Sequence, residues 1–240
     1  MMGTLADRLI LDGTQYRLKS DGRTVAELVD RLEAGDRPSA MIATGAVNAV
    51  DVVAALALEA LGDEGSAGIP LVQEKPPRPR LERALSESSW SEVFPEADRA
   101  SRLALVAGLL QMYDFWDASH EAAQQADDLG ERGSSAYWHG IAHRREPDPG
   151  NAAYWFRRVG RHPIFADLAR SARPLLDAHG EAGTSARLLA GGWDPMAMTD
   201  LCSRARPGSP VESLARQIQR QEMWGLLEHS LAPLAGTPSP

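Results

Sequence analysis

Two histidines spaced four residues apart, His139 and His143, are the residues of this chain best placed to do chemistry together. On a helix this spacing puts both side chains on one face, one turn apart, and Glu146 follows on nearly the same face. Imidazole and carboxylate groups at such spacing can bind a transition metal, and three protein ligands leave a coordination position open for water. The pattern therefore predicts either a metal site or a buried network of histidines hydrogen-bonded to carboxylates.

The segment before these histidines supplies further candidate ligands on a predicted neighbouring helix. Asp117 and His120 are three residues apart, and Asp117 and Glu121 are four apart, so each pair shares a helix face. Helical bundles build metal sites from inward-facing pairs of this kind on adjacent helices. The predicted candidates for metal ligands are His139, His143, His120 and Glu121. The HExxH and paired Glu-x-x-His patterns of known helical metal enzymes are absent.

Arginines are concentrated in the same stretch, residues 137–163, where five arginines face only two carboxylates. A positive pocket in an acidic protein predicts an anionic ligand, such as a carboxylate, a phosphate or an acidic peptide. The alternative is that the arginines pair with acidic residues 127–131 on the preceding loop. The predicted ligand-binding residues are His139, His143, Glu146, Asn151, Trp155, Arg157, Arg158, Asp117 and His120.

Composition limits the classes of protein to which the chain can belong. Its hydrophobic fraction of 43% and charged fraction of 24% are those of an ordinary globular protein. The formal net charge of −8 argues against nucleic acid and anionic membranes as partners, because both require basic surfaces. We find no signal-peptide pattern and no apolar run long enough to span a bilayer. Cys202 is the single cysteine, so no intrachain disulfide can form, and we expect a cytoplasmic location.

The spacing of apolar residues and helix-capping signals predicts a mainly α-helical fold. Residues 1–66 should form a small unit with a β-hairpin turning at Asp12-Gly13, a helix capped by Thr24, and a second helix capped by Asn48. Residues 67–80 contain four prolines and are predicted to be a linker.

Residues 81–231 are predicted to form a domain of eight helices, followed by a disordered tail at 232–240. The first should run unbroken over 81–94, and later ones should be capped by Asp98, by Ser134 or Ser135, and by Asn151. Gly140, Ala152, Phe156 and Val159 follow the small and large positions of a tetratricopeptide-type hairpin. We therefore expect a compact, irregular array of α-helical hairpins.

Two segments resemble known families. The order of hairpin, VAEL helix, AGD and DVVAAL helix in residues 1–66 resembles a VapB-type antitoxin-like domain of unknown function. That resemblance implies a short β-element with a three-helix, DNA-binding-like core, although acidic residues outnumber basic ones here. The string HRREPDPGNAAYWFRRVGRHP resembles an uncharacterised protein family that carries the same block, and it implies no activity.

Three functional hypotheses follow. The first is a cytoplasmic binding or interaction module for a small anionic ligand or a protein partner, with a pocket around His139, His143, Glu146 and Arg157. The second is a metal-dependent enzyme, hydrolytic or oxygenase-like, that uses the same histidines and Glu146 together with His120. The third is an antitoxin-like regulator and depends on residues 1–66 alone. The sequence does not identify a cofactor.

Overall fold

The computed structural model describes residues 4–63, 66–180 and 182–236, and it confirms the mainly α-helical prediction. Within these ranges the only strands are β1 (Leu9–Asp12) and β2 (Gln15–Leu18), which follow a 3-10 turn at Leu5–Arg8. The N-terminal part continues with α1 (Val25–Ala34), α2 (Pro38–Ala43) and α3 (Ala49–Leu61). After a 3-10 turn at Pro79–Leu81 come α4 (Glu82–Leu85), α5 (Glu87–Val93), α6 (Arg99–Met112), α7 (Trp116–Asp128), α8 (Ser134–Arg145), α9 (Pro149–Val159), α10 (Phe165–Ala178), α11 (Ala182–Leu188), α12 (Pro195–Arg204) and α13 (Pro210–Ala235).

The N-terminal elements form where the local signals predict them. β1 and β2 pair antiparallel from Leu9 opposite Leu18 to Asp12 opposite Gln15, and the turn between them uses Gly13 at a φ of 63°. The Thr24 side chain caps α1 by accepting from the backbone N–H of Glu27. Asn48 caps α3 in the same way, as predicted.

The caps of the two helices nearest the histidines differ from the prediction. Neither Ser134 nor Ser135 caps α8; instead the Glu131 carboxylate accepts from their backbone N–H groups at 3.0 and 2.6 Å. α9 begins earlier than predicted, because Asp148 rather than Asn151 is its cap and Pro149 occupies its first turn. Both corrections arise because a carboxylate outside the predicted helix reaches its free N–H groups.

Other helix boundaries also require correction. The predicted helix over 81–94 is divided at Ser86, whose extended backbone separates α4 from α5. The short helices α2 and α11 were not predicted. α13 continues to Ala235 with Leu234 buried, so the first residues of the predicted tail are helical, whereas 237–240 lie outside the described residues.

One continuous hydrophobic core joins the N-terminal unit to the later helices. α3 packs against both α6 and α13, and its central residues, 52–57, are fully buried. The proline-rich segment 67–80 lies along this core, because Ile69 and Leu71 are buried. Arg78, at the end of that segment, forms ion pairs with carboxylates of α1 and α3.

α8 is the central helix of the site region and is buried along its whole length. It packs between α7 and α9, and it also contacts α6 and α13. α8 and α9 approach closely at Gly140, where an added Cβ would stand only 2.5 Å from the Phe156 ring.

Candidate functional site

Three imidazole rings converge where α7 meets α8. His120 of α7 lies edge-on to His139 and His143 of α8, with ring centroids 4.2 and 5.1 Å apart. His139 and His143 stack at 5.1 Å, which is the predicted consequence of their one-turn spacing. One nitrogen from each ring can be chosen so that all three lie within 4.8 Å of one another. We call these three residues the histidine cluster.

Two tryptophans stack on rings of the histidine cluster, one from α9 and one from α7. The Trp155 ring of α9 stacks on His139 with centroids 3.7 Å apart and planes only 15° apart. Trp116, one turn before His120 in α7, stacks on that ring at 4.9 Å, and its indole N–H donates to the Ala142 carbonyl at 2.9 Å. These stacking contacts therefore limit how far the His139 and His120 rings can move.

Burial favours the neutral form of two of these histidines, His139 and His120. Burial first, and then the neighbouring imidazoles, lower the pKa of His139 from 6.5 to about 3. The pKa of His120 is also lowered, chiefly by burial and then by His143. A neutral imidazole keeps a lone pair on one nitrogen and can therefore bind a metal ion at neutral pH.

His139 has a polar atom that lacks a partner. It is 1% exposed, and its Nδ1 is buried without a hydrogen bond to any residue that the structure describes. Leaving such an atom unsatisfied costs about 1–3 kcal/mol. The Nδ1 atom is therefore a site where water or an ion would stabilise the fold.

His143, in contrast, forms a hydrogen bond with a carboxylate. Its Nδ1 lies 2.8 Å from Oε2 of Glu146, one turn further along the chain. Asp148 is also close enough to complete a second group of potential ligands with these two residues. The Asp148 oxygens, however, accept from the backbone N–H and side-chain amide of Asn151 at 3.0 and 2.7 Å. Within this second group, Asp148 therefore serves as the cap of α9.

Several predicted site residues do not belong to the cluster. Asp117 and Glu121 are exposed on α7, and Glu121 accepts from the Gln125 side chain at 3.0 Å. Asn151 is exposed and serves only the Asp148 cap. None of these three takes part in a potential ligand group among the described residues.

The arginines of the block are mostly neutralised. Arg144 pairs with Glu222 of α13 at 2.5 Å and Arg145 with Asp114 at 2.6 Å, both deep in the core. Arg158 pairs with Asp127 at 2.6 Å and lies 5.2 Å above the Trp155 ring. Arg157 is exposed and forms no hydrogen bond or ion pair with the part of the chain that the structure describes. Three of the five arginines are therefore paired with carboxylates, so the strongly positive pocket expected from residue counts does not form.

Sequence reasoning missed Trp116 and a second pair of histidines. The stacking of Trp116 on His120 could have been predicted from their spacing of four residues. His162 and His229 meet edge-on at 4.6 Å, and Nε2 of His162 is buried without a described partner. Burial and then His229 lower the pKa of His162 to about 4. No local pattern could have joined these two residues, which lie far apart in the chain.

Among the described residues, none of the helices combines the length and apolar character needed to cross a bilayer. Comparison of the chain with protein-family models, with curated proteins and with solved structures finds no match in any of the three.

Proposed function

We propose that this protein binds a divalent transition-metal ion through His120, His139 and His143, and that it is a metal-dependent enzyme of the hydrolytic type. The observation that carries the proposal is the convergence of three imidazole nitrogens within 4.8 Å. Imidazole is a ligand for zinc, copper, iron and nickel, and three histidines with an open fourth position are typical of catalytic zinc sites.

The distances are compatible with a metal after small ring movements. Metal–nitrogen bonds of about 2.0 Å at tetrahedral angles place the ligand nitrogens about 3.3 Å apart. The observed upper limit of 4.8 Å therefore requires any two nitrogens to approach by at most about 1.5 Å. His120 is only half-buried, so it can rotate further than the two histidines of α8. The stacked tryptophans limit the movement of the rings.

The surroundings support a catalytic rather than a structural site. A structural zinc site is closed by four protein ligands, whereas a catalytic site keeps one position for water. No fourth ligand joins the histidine cluster among the residues described, since Glu121 and Asp117 are on the exposed face of α7. A bound zinc ion lowers the pKa of its water to about 7 and so supplies hydroxide at neutral pH.

The test is stoichiometric metal uptake by protein purified without a polyhistidine tag and stripped with a chelator. Calorimetric titration with zinc should give one ion per chain. His120→Phe removes one ligand yet retains a ring to stack on Trp116, so it should lower zinc affinity at least tenfold without unfolding the protein. His179→Gln is the matched control, because His179 is exposed and, among the described residues, its ring bonds to the Leu175 carbonyl of its own helix alone.

Two results would contradict the metal proposal. One is the absence of zinc or cobalt uptake by wild-type protein whose helical content is intact. The other is His120→Phe binding the metal as tightly as His179→Gln. Either would favour three rings that pack together as part of the core. With cobalt, absorption bands in the visible range would report whether the bound ion is tetrahedral.

The binding-module hypothesis has one specific observation in its favour. Arg157 is exposed without a described partner, and the neighbouring Tyr154 is half exposed. An exposed guanidinium suits a phosphate or carboxylate, with which it can form two parallel hydrogen bonds. Calorimetry with inorganic phosphate on wild type and Arg157→Gln tests this second candidate; equal, undetectable binding by both proteins would contradict it.

A further inference from the structure

We propose that Glu146 is a positioning residue that fixes the tautomer of His143, and that it is not itself a metal ligand. This inference rests on the proposed metal function of the histidine cluster. Its basis is the 2.8 Å contact between Nδ1 of His143 and Oε2 of Glu146. An ionised carboxylate can only accept, so an imidazole ring that carries a single proton in this contact has it on Nδ1.

The tautomer decides which nitrogen can bind a metal. With its proton on Nδ1, His143 carries its lone pair on Nε2, the nitrogen that is free of Glu146. Histidines that bind metals usually donate their other ring N–H to a carboxylate or carbonyl group, which orients the ring and raises its basicity. The 2.8 Å contact between Glu146 and His143 has this arrangement.

The local structure holds Glu146 in place for this role. Glu146 ends α8, three residues after His143, so its side chain reaches back along the same face. The next turn is fixed as well, because the backbone N–H of Asp148 donates to the His143 carbonyl at 2.9 Å. The carboxylate remains partly exposed, with its side chain 37% accessible, whereas His143 is almost fully buried.

His120 and His139 differ from His143 in this respect. No carboxylate accepts from either ring within the described ranges, and Nδ1 of His139 has no partner there. Among the described residues, therefore, one of the three proposed ligands has its tautomer set by a charged group. We expect the metal affinity to depend strongly on this one contact.

The experiment compares Glu146→Ala with Glu146→Gln, which retains an oxygen that can accept from Nδ1. Nitrogen-15 NMR of the metal-free protein should show His143 protonated on Nδ1 in the wild type and in Glu146→Gln. In Glu146→Ala the spectrum should shift towards a mixture of tautomers. Zinc affinity, measured by competition with a chelator, should fall about 10–100-fold in Glu146→Ala and stay within a few-fold of wild type in Glu146→Gln.

Glu121→Ala is the control, because it removes an exposed carboxylate from the neighbouring helix. Its zinc affinity should equal that of the wild type. Zinc binding by Glu146→Ala as tight as by Glu121→Ala would overturn the positioning role while leaving the metal site standing. A wild-type His143 protonated on Nε2 would also overturn it. Failure of the wild type to bind zinc would instead overturn the proposed function.

Discussion

Glu222 should be among the residues of this chain that are most costly to replace. Its carboxylate pairs with Arg144 at 2.5 Å, and both side chains are completely buried. Nε and Nη1 of Arg144 are buried without partners in the described part of the chain. Nη2 of Arg144 also donates to the Gln219 side-chain oxygen, but at 3.4 Å this hydrogen bond is long. Glu222 therefore provides most of the compensation for a buried positive charge.

We expect Glu222→Gln to lower the free energy of unfolding by about 3–5 kcal/mol, the usual cost of leaving one member of a buried ion pair uncompensated. The loss is a large part of a typical total of about 5–15 kcal/mol. It corresponds to a fall in Tm of roughly 6–20 °C for a protein of this size. The glutamine would still accept from the Tyr137 hydroxyl, which now donates to Glu222 at 2.8 Å.

Urea denaturation followed by circular dichroism measures the change, provided that the dependence on urea is the same in each variant. Asp167→Asn is the control, since the Arg170–Asp167 pair is about three-quarters exposed and should contribute less than about 1 kcal/mol. The double variant Arg144→Met, Glu222→Leu removes both charges and should be close to wild type or more stable. A loss below about 1 kcal/mol in Glu222→Gln, or a double variant as unstable as the single one, would refute this reasoning.

Two further predictions concern packing and pH. Gly140→Ala should lower the free energy of unfolding in urea by about 1–3 kcal/mol, because the added carbon would lie 2.5 Å from the Phe156 ring. Gly183→Ala in α11, where an added carbon would meet no other atom, should be neutral or stabilising; equal effects of the two substitutions would contradict this. The pKa of His162 falls from 6.5 in the unfolded chain to about 4 in the folded one, so the unfolded state binds more protons between these values. The contribution of His162 should therefore be full above pH 6.5 and decrease by up to about 3 kcal/mol as the pH falls through this window. Because His139 adds a loss of the same sign, His162→Asn should reduce the pH dependence of stability in urea titrations without removing it; an unchanged slope would argue against this.

Helical periodicity predicts part of the histidine cluster, namely that His139 and His143 lie on the same face of one helix. The spacing of His139 and His143 places them on one face, and a neighbouring antiparallel helix is the natural source of a third ring. Periodicity does not give the rotation of α7 about its axis. The small residues Ala122, Ala123 and Ala126 turn inward, which leaves His120 at the edge of the contact and Glu121 outside it.

The partners of the arginines could not be predicted from local patterns. Arg144 meets a carboxylate 78 residues away and Arg145 one that is 31 residues away. Residue counts over 137–163 treat all five arginines as if they shared one surface, whereas these two are in the core. The fold also uses Asp114 at a φ of 61°, a left-handed conformation that a sequence pattern does not predict for a non-glycine residue.

The complete burial of α8 draws attention to the one histidine of this helix that has an unpartnered polar atom. A helix buried on every side must satisfy its polar groups from within the protein. The guanidinium groups of α8 reach carboxylates, and His143 reaches Glu146. His139 remains neutral with an unpartnered Nδ1, although a hydrophobic side chain would fill this position without that cost. Retaining such a group beside two further imidazoles is understandable if the three rings bind an ion together.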